Sequence, residues 1–137
     1  MADVHSPSVR SKNMAAIKGK DTKPEIAVRK FLYANGLRYR LHRKDLAGKP
    51  DITSFKYKTV VFVNGCYWHR HKGCKFSTMP KSNTEFWVTK FQGTVARDMR
   101  NYAVLKDNGW NVIVIWECEV NNRSYEEWVA TRIRANV

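Results

Sequence analysis

The chain has 137 residues, 43% of them hydrophobic and 27% charged, a length and balance that suit one globular domain rather than a disordered or multidomain chain. No apolar run approaches the roughly 20 residues of a membrane helix, and the opening residues lack the apolar stretch of a secretory signal, so a cytoplasmic location is expected. Lys and Arg number 25 against 12 Asp and Glu, a formal charge of +13; self-repulsion on that scale points to a polyanion as partner, DNA or RNA rather than a membrane surface.

Residues 1–20 form a basic arm, in which Met14 belongs to a short helical pattern over residues 11–18, and residues 21–137 form the domain proper. Thr22-Lys23-Pro24-Glu25 has the pattern of a capping box with proline in the first turn. Ala27, Val28, Phe31 and Leu32 then recur at helical spacing until Gly36. Leu37, Tyr39 and Leu41 alternate with Arg38, Arg40 and His42, which predicts a strand. Residues 51–55 predict a second strand and residues 59–63, almost continuously apolar, a buried third. After an irregular segment, residues 65–83, Asn83 or Thr84 is expected to cap a long helix that carries Trp87, Phe91, Val95, Met99, Tyr102 and Leu105 and stops at Gly109. Residues 110–116 predict a buried strand, and Ser124-Tyr125-Glu126-Glu127 a second capping box opening a C-terminal helix. The order αβββαβα predicts an α/β fold, a mixed sheet flanked by helices.

Two places carry chemistry. A hairpin centred on Tyr57 would pair residues whose numbers sum to 114, setting Asp51 opposite Val63; a carboxylate beside an exposed carbonyl is a hard-oxygen site suited to Mg²⁺. The second place is the irregular segment. Three cysteines cannot all pair with one another, and reduced thiols in such a context bind metal or sit in the core. Cys66, His71 and Cys74 have Cys-x4-His-x2-Cys spacing, and Cys118 lies at the end of the last strand, where it can reach them. Thiolates with one imidazole suit tetrahedral Zn²⁺, and four protein ligands would make the ion structural, pinning a loop with little core of its own. His69, the other imidazole of the loop, lies near the end of the strand facing Asp51, and imidazole is the side chain suited to taking a proton from water at neutral pH. Residue type alone leaves open which of His69 and His71 is base and which is ligand. His5 and His42 sit among polar residues and are assigned no role.

A Pro-Asp before a hairpin in a basic αβββαβ chain resembles the PD-(D/E)xK nuclease fold, although Phe62 and Asn64 stand where the second strand of that fold usually carries an acidic residue and a lysine. More specifically, Arg10-Ser11-Lys12-Asn13-Met14, Asp21-Thr22-Lys23-Pro24-Glu25, Gly48-Lys49-Pro50-Asp51, the Gly65-to-Cys74 loop, Thr84-Glu85-Phe86-Trp87, and the stretch from Gly109-Trp110 through Trp116-Glu117-Cys118 together resemble the very-short-patch-repair (Vsr) mismatch endonucleases, over residues 10–128. The resemblance implies an enzyme that nicks one DNA strand beside a T·G mismatch left by deamination of 5-methylcytosine, with catalytic Mg²⁺ and structural Zn²⁺. It implies Asp51 and the Val63 carbonyl as Mg²⁺ ligands, His69 as general base, Asp98 as the carboxylate that orients it, and Glu25 as a further active-site carboxylate. Cys66, His71, Cys74 and Cys118 fall on the four zinc ligands. Tyr67, Trp68 and Trp87 match an aromatic wedge that intercalates beside the mismatch, Met14 a residue reaching the opposite groove, and Lys90 a base-contacting lysine. Asn64 stands where the family often has histidine, and Thr94 where asparagine is frequent among the DNA-contacting residues. A single asymmetric site implies a monomer on double-stranded DNA. Two rivals remain at this level: a restriction-like enzyme cutting intact duplex, and a zinc-stabilised DNA-binding module without catalysis.

Overall fold

The computed structural model describes residues 22–135; the basic arm, including Met14 and His5, lies outside them. In chain order the elements are α1 (Lys23–Ala34), β1 (Arg40–Leu41), β2 (Ile52–Ser54), β3 (Thr59–Asn64), α2 (Thr84–Asp107), β4 (Asn111–Trp116), α3 (Glu117–Asn121), a 3-10 turn (Ser124–Glu127) and α4 (Val129–Arg134). The four strands make one sheet in sequence order, antiparallel at β1–β2 and β2–β3 and parallel at β3–β4. The expected mixed α/β architecture is therefore present. The parallel pairing of β3 with β4 is reached through α2, the usual crossover.

Alternation along β3 and β4 feeds two cores. Val61, Ile113 and Ile115 point to the face covered by Val28 and Leu32 of α1, Val120 of α3, Tyr125, and Val129 and Ile133 of α4. Val60, Phe62 and Val112 point the other way, beneath Leu105 of α2. Because both faces are covered, β3 and β4 read as nearly unbroken apolar runs. Each fully buried Val, Leu or Ile contributes roughly 1.5–3 kcal/mol, so this centre is a firm base for residues at the strand ends.

Three local expectations need correction. The strand expected from Leu37 is only Arg40–Leu41. Leu37 instead closes α1: its N–H donates to the Leu32 carbonyl and that of Gly36 to Tyr33, with Gly36 at φ 81°. This is a Schellman ending, and its apolar residue is driven into the core. The hairpin register sums to 113 rather than 114, with Ile52 opposite Val61 and Ser54 opposite Thr59. Its four-residue loop is held by Lys58 N–H to the Phe55 carbonyl and Tyr57 N–H to Ser54 Oγ. Continuing that register puts Asp51 level with Phe62 rather than Val63. At the C-terminus, residues 124–127 form a 3-10 turn, not the start of an α-helix, because Arg123 is left-handed at φ 63° and Glu126 pairs with Arg123. Cys118 lies in the first turn of α3, a helix the sequence did not announce; Glu119 there accepts the Trp116 N–H at 3.0 Å.

Helix α2 is the long element, 24 residues or about 36 Å. It starts at Thr84 as expected, yet Asn83 makes no side-chain cap; Asn83 is itself left-handed, at φ 53°. Trp87, Phe91, Asp98, Tyr102 and Leu105 fall on one stripe of this helix, and that stripe faces the loop and the sheet.

Candidate functional site

The C-terminal ends of β3 and β4 meet the start of α1 at a cleft of about 640 Å³. Glu25, Asp51, Val63, Asn64, Tyr67, Trp68 and His69 are among its walls. Gly48, at φ 74°, brings the loop before Asp51 against Phe62 and Asn101; a Cβ there would come within 3.1 Å of both. That close approach seats Pro50 and Asp51 at the entry to β2.

Asp51 Oδ2 accepts the Val63 N–H at 2.7 Å, which anchors the carboxylate across the hairpin despite the shifted register. Burial, with the Glu25 carboxylate beside it, pushes its pKa up to about 8; the Val63 N–H opposes this. Glu25 is 2% exposed. Its backbone N–H donates to Thr22 Oγ1 at 3.4 Å, so the Thr22 side of the capping box is in place. Its side chain faces the cleft interior instead of open solvent: Oε2 lies 2.7 Å from Arg29 Nη2 and 3.0 Å from His42 Nε2. Glu25, His42 and Asp51 each bring a ligand atom within 4.8 Å of the other two. A buried and a half-buried carboxylate held this closely have oxygen donors of the kind a divalent cation takes, and a cation would relieve their mutual repulsion. The donor set therefore fits Mg²⁺, and Glu25 supplies the second carboxylate that β3 lacks.

His69 and His71 are separated by the fold. His69 Nδ1 lies 2.7 Å from Asp98 Oδ2 on α2, with both side chains partly exposed. His71 turns to the thiols, its Nδ1 3.6 Å from Cys66 Sγ and 3.4 Å from Cys118 Sγ, with its ring stacked 4.3 Å from Trp116. Ligand atoms of Cys66, His71, Cys74 and Cys118 all lie within 4.8 Å of one another. A tetrahedral Zn²⁺ with ordinary bond lengths separates its N and S ligands by about 3.4–3.8 Å, so the cluster fits that ion. Burial pushes the Cys66 thiol up to about 12 and raises that of Cys118; the Phe76 N–H lowers that of Cys74. A cation is what would hold all three as thiolates together.

Tyr67, Trp68 and Trp87 form one aromatic group, with ring centroids 5.0 Å apart for Tyr67–Trp68 and 6.4 Å for Trp68–Trp87. Trp68 is 49% exposed, whereas buried Phe91 supports Tyr67 and Trp87 from below. Lys90 projects from α2 with its ammonium 5.3 Å from the Trp87 ring. Thr94 lies one turn on, its hydroxyl donating to the Lys90 carbonyl. Asn64 is buried and its amide donates to the Tyr102 hydroxyl at 2.8 Å, tying β3 to α2.

Sequence reasoning did not find His42, which follows the two-residue strand in a left-handed conformation at φ 48°. Nor did it find the work of Arg70. That guanidinium donates to the carbonyls of Tyr67, Ser77 and Thr78 and lies 4.1 Å over the Phe91 ring. Arg70 thus laces the loop to itself and to α2.

The sequence profile of the family described as DNA mismatch endonuclease Vsr matches residues 2–75. The chain is 48% identical over 124 residues to the Type II nicking enzyme V.NmeAIP of Neisseria meningitidis serogroup A, covering 90% of this chain and 88% of that one. It is 38% identical to the DNA mismatch endonuclease Vsr of Escherichia coli K12, over 94% of this chain and 88% of that enzyme. Among solved structures, the Homing Endonuclease I-Bth0305I Catalytic Domain superposes with a TM-score of 0.60 at 20% identity, covering 85% of this chain and 99% of that one, a likeness of fold. With nicking and mismatch endonucleases matching almost end to end, the chain belongs to the Vsr family of DNA endonucleases.

Proposed function

We propose that this enzyme nicks one strand of duplex DNA beside a T·G mismatch, with Mg²⁺ in the cleft and Zn²⁺ under the loop, on a PD-(D/E)xK-type fold. The observation that carries the reading is that a single cleft is lined by a carboxylate pair, a histidine held by a carboxylate, half-buried Tyr67 and exposed Trp68. Bound at Asp51, Mg²⁺ supplies stabilisation of charge on the scissile phosphate and the leaving oxygen. Asp51 and the Val63 carbonyl are its ligands, and Glu25 adds a neighbouring carboxylate. Asp98, accepting from Nδ1–H, fixes the His69 ring and leaves the Nε2 lone pair for a proton from the attacking water. Cys66, His71, Cys74 and Cys118 hold Zn²⁺ and so fix the loop that carries Tyr67, Trp68 and His69.

Trp68, with Tyr67 and Trp87, inserts at the base step. Unstacking costs a few kcal/mol per step, less at a mismatched pair, and flat rings restore part of the lost stacking. Lys90 and Thr94 sit one helical turn apart beside these rings, where they contact the flanking bases. DNA repair follows as the role: the thymine strand is opened for resynthesis.

The test is a set of end-labelled duplexes differing at one base pair, with varied flanks, incubated with Mg²⁺ at fixed salt. The thymine strand of T·G should be nicked far faster than T·A or C·G. Trp68→Ala should lose more on T·G than on binding of paired duplex, since stacking is worth ~1–3 kcal/mol per base. Equal cutting of both strands in fully paired DNA would reject the mismatch reading in favour of a restriction-like enzyme.

A further inference from the structure

His42 touches both carboxylate residues of the cleft, by different groups. Its backbone N–H donates to the Asp51 carbonyl at 3.3 Å. Its ring Nε2 lies 3.0 Å from Glu25 Oε2, across 17 residues of chain. It does so from a left-handed backbone at φ 48°, a conformation unfavourable to a side chain with a Cβ and commonly retained where function depends on it. The His42 ring is only partly exposed, its side chain at 21%.

We propose that His42 is a positioning residue that sets the Glu25 carboxylate relative to Asp51, so that the pair meets a divalent cation at a fixed spacing. The inference rests on the reading of Asp51 as a cation ligand. It goes beyond that reading by giving a role to a residue that neither touches the reacting atoms nor ligates the ion. Direct ligation by His42 is disfavoured by charge. Arg29 Nη2 is 2.7 Å from the same Glu25 oxygen and 3.5 Å from His42 Nε2. A cation bridging His42 and that oxygen would sit against a guanidinium. Arg29 and His42 together converge on Oε2 and fix the rotation of the carboxylate. Asp51 is meanwhile held from both sides, by the Val63 N–H on its side chain and the His42 N–H on its backbone. Such outer partners of a metal site orient the ligands, and their loss commonly weakens metal binding without unfolding the protein.

The experiment is Mn²⁺ binding to the full-length chain followed by electron paramagnetic resonance, alone and on a synthetic nicked duplex, with melting temperature and zinc content recorded alongside. His42→Ala should weaken Mn²⁺ binding by about 10–100-fold, with zinc content unchanged and melting temperature nearly so. His42→Gln, whose amide can still donate to Glu25 but is a poor metal ligand and does not titrate, should recover most of the affinity. Three results overturn the proposal: His42→Ala binding Mn²⁺ as the parent does, His42→Gln being as weak as alanine, or both variants losing melting temperature in step with affinity. The second would make His42 a ligand or proton carrier, and the third a packing residue. If the parent chain binds no Mn²⁺ in either arm, the cation reading of Asp51 fails and His42 falls with it. That outcome is distinct from a parent that binds and a variant that binds equally well.

Discussion

At the scale of single residues, the two histidines of the loop have separate partners, Asp98 for His69 and the thiols for His71. Replacing His69 by Ala should lower single-turnover nicking by roughly a hundredfold or more with little change in duplex affinity; Asp98→Asn should cost less, because the ring remains without its orienting charge. Rapid-quench cleavage and gel-shift binding separate the two effects, and equal loss of binding and cleavage in both variants would make the pair structural. Asp51 yields a prediction about stability. Its carboxyl titrates near 3.9 in an unfolded chain and at about 8 in the fold. The folded state therefore holds the proton more tightly, and stability falls as pH rises between those values. Asp51→Asn, neutral throughout, should melt higher than the parent at pH 8.5 without divalent cations, and the gap should close toward pH 4. A gap of constant size in thermal melts across that range would refute the buried-charge account. The closeness of Asp51 to Val63 was readable from residue type and spacing, whereas the pairing of His69 with Asp98 came only through the family resemblance. His42 was not readable, because its partner lies 17 residues away and its φ of 48° turns it out of the strand alternation from which its direction would be read.

At the scale of elements, the irregular loop and α2 depend on each other. The loop, residues 65–83, contains no helix or strand. Its order rests on the cysteine–histidine cluster, on Ser77 Oγ donating to the Cys66 carbonyl, and on Arg70. Cys118→Ser should reduce zinc content and lower the melting temperature, since a four-ligand site contributes folding free energy directly. Atomic absorption and thermal denaturation of the purified variant test this; a parent protein that carries no zinc and stays folded through chelation would exclude the site. The cysteine spacing made three members of the cluster readable, and Cys118 needed only the expectation that β4 ends nearby. The helix that displays Cys118 was not readable. Five residues are too few for a periodic signal, and Glu117 and Glu119 resemble a polar turn. The hairpin register was missed by one because its loop closes between Ser54 and Thr59, which moves the centre to between Lys56 and Tyr57. Asp51 compensates by reaching Val63 with its side chain. The strand predicted from Leu37 shrank for a different reason: an apolar residue after a C-terminal glycine serves helix closure as readily as strand alternation.

At the scale of the whole molecule, α1, α3 and α4 support one face of the sheet while α2 crosses the other, and the cleft opens at the edge where both layers meet β3. The carboxylates come from α1 and the start of the hairpin, the histidine from the loop, and the aspartate paired with it from α2. One cleft of this composition among the described residues is suited to one strand. A covalently closed plasmid with a single T·G pair should therefore be converted to open circles, read on an agarose gel, with linear DNA absent until long after nicking is complete. Linear product appearing at the same rate as open circles would mean that two chains act together.

Arg70 bears on how the formal charge of +13 should be understood. In sequence it looks like one more cation facing a phosphate, yet its guanidinium is occupied by three carbonyls and an aromatic face. Arg29 is likewise engaged, with buried Glu25, whereas the pairs of Arg43 with Asp45 and of Arg123 with Glu126 lie on the exposed surface and remain open to solvent. Counterions leave DNA in proportion to the phosphates a protein neutralises, not in proportion to its formal charge. Part of the positive charge here therefore acts as internal mortar, and the ionic-strength dependence of DNA affinity measures only the cations that remain outside it.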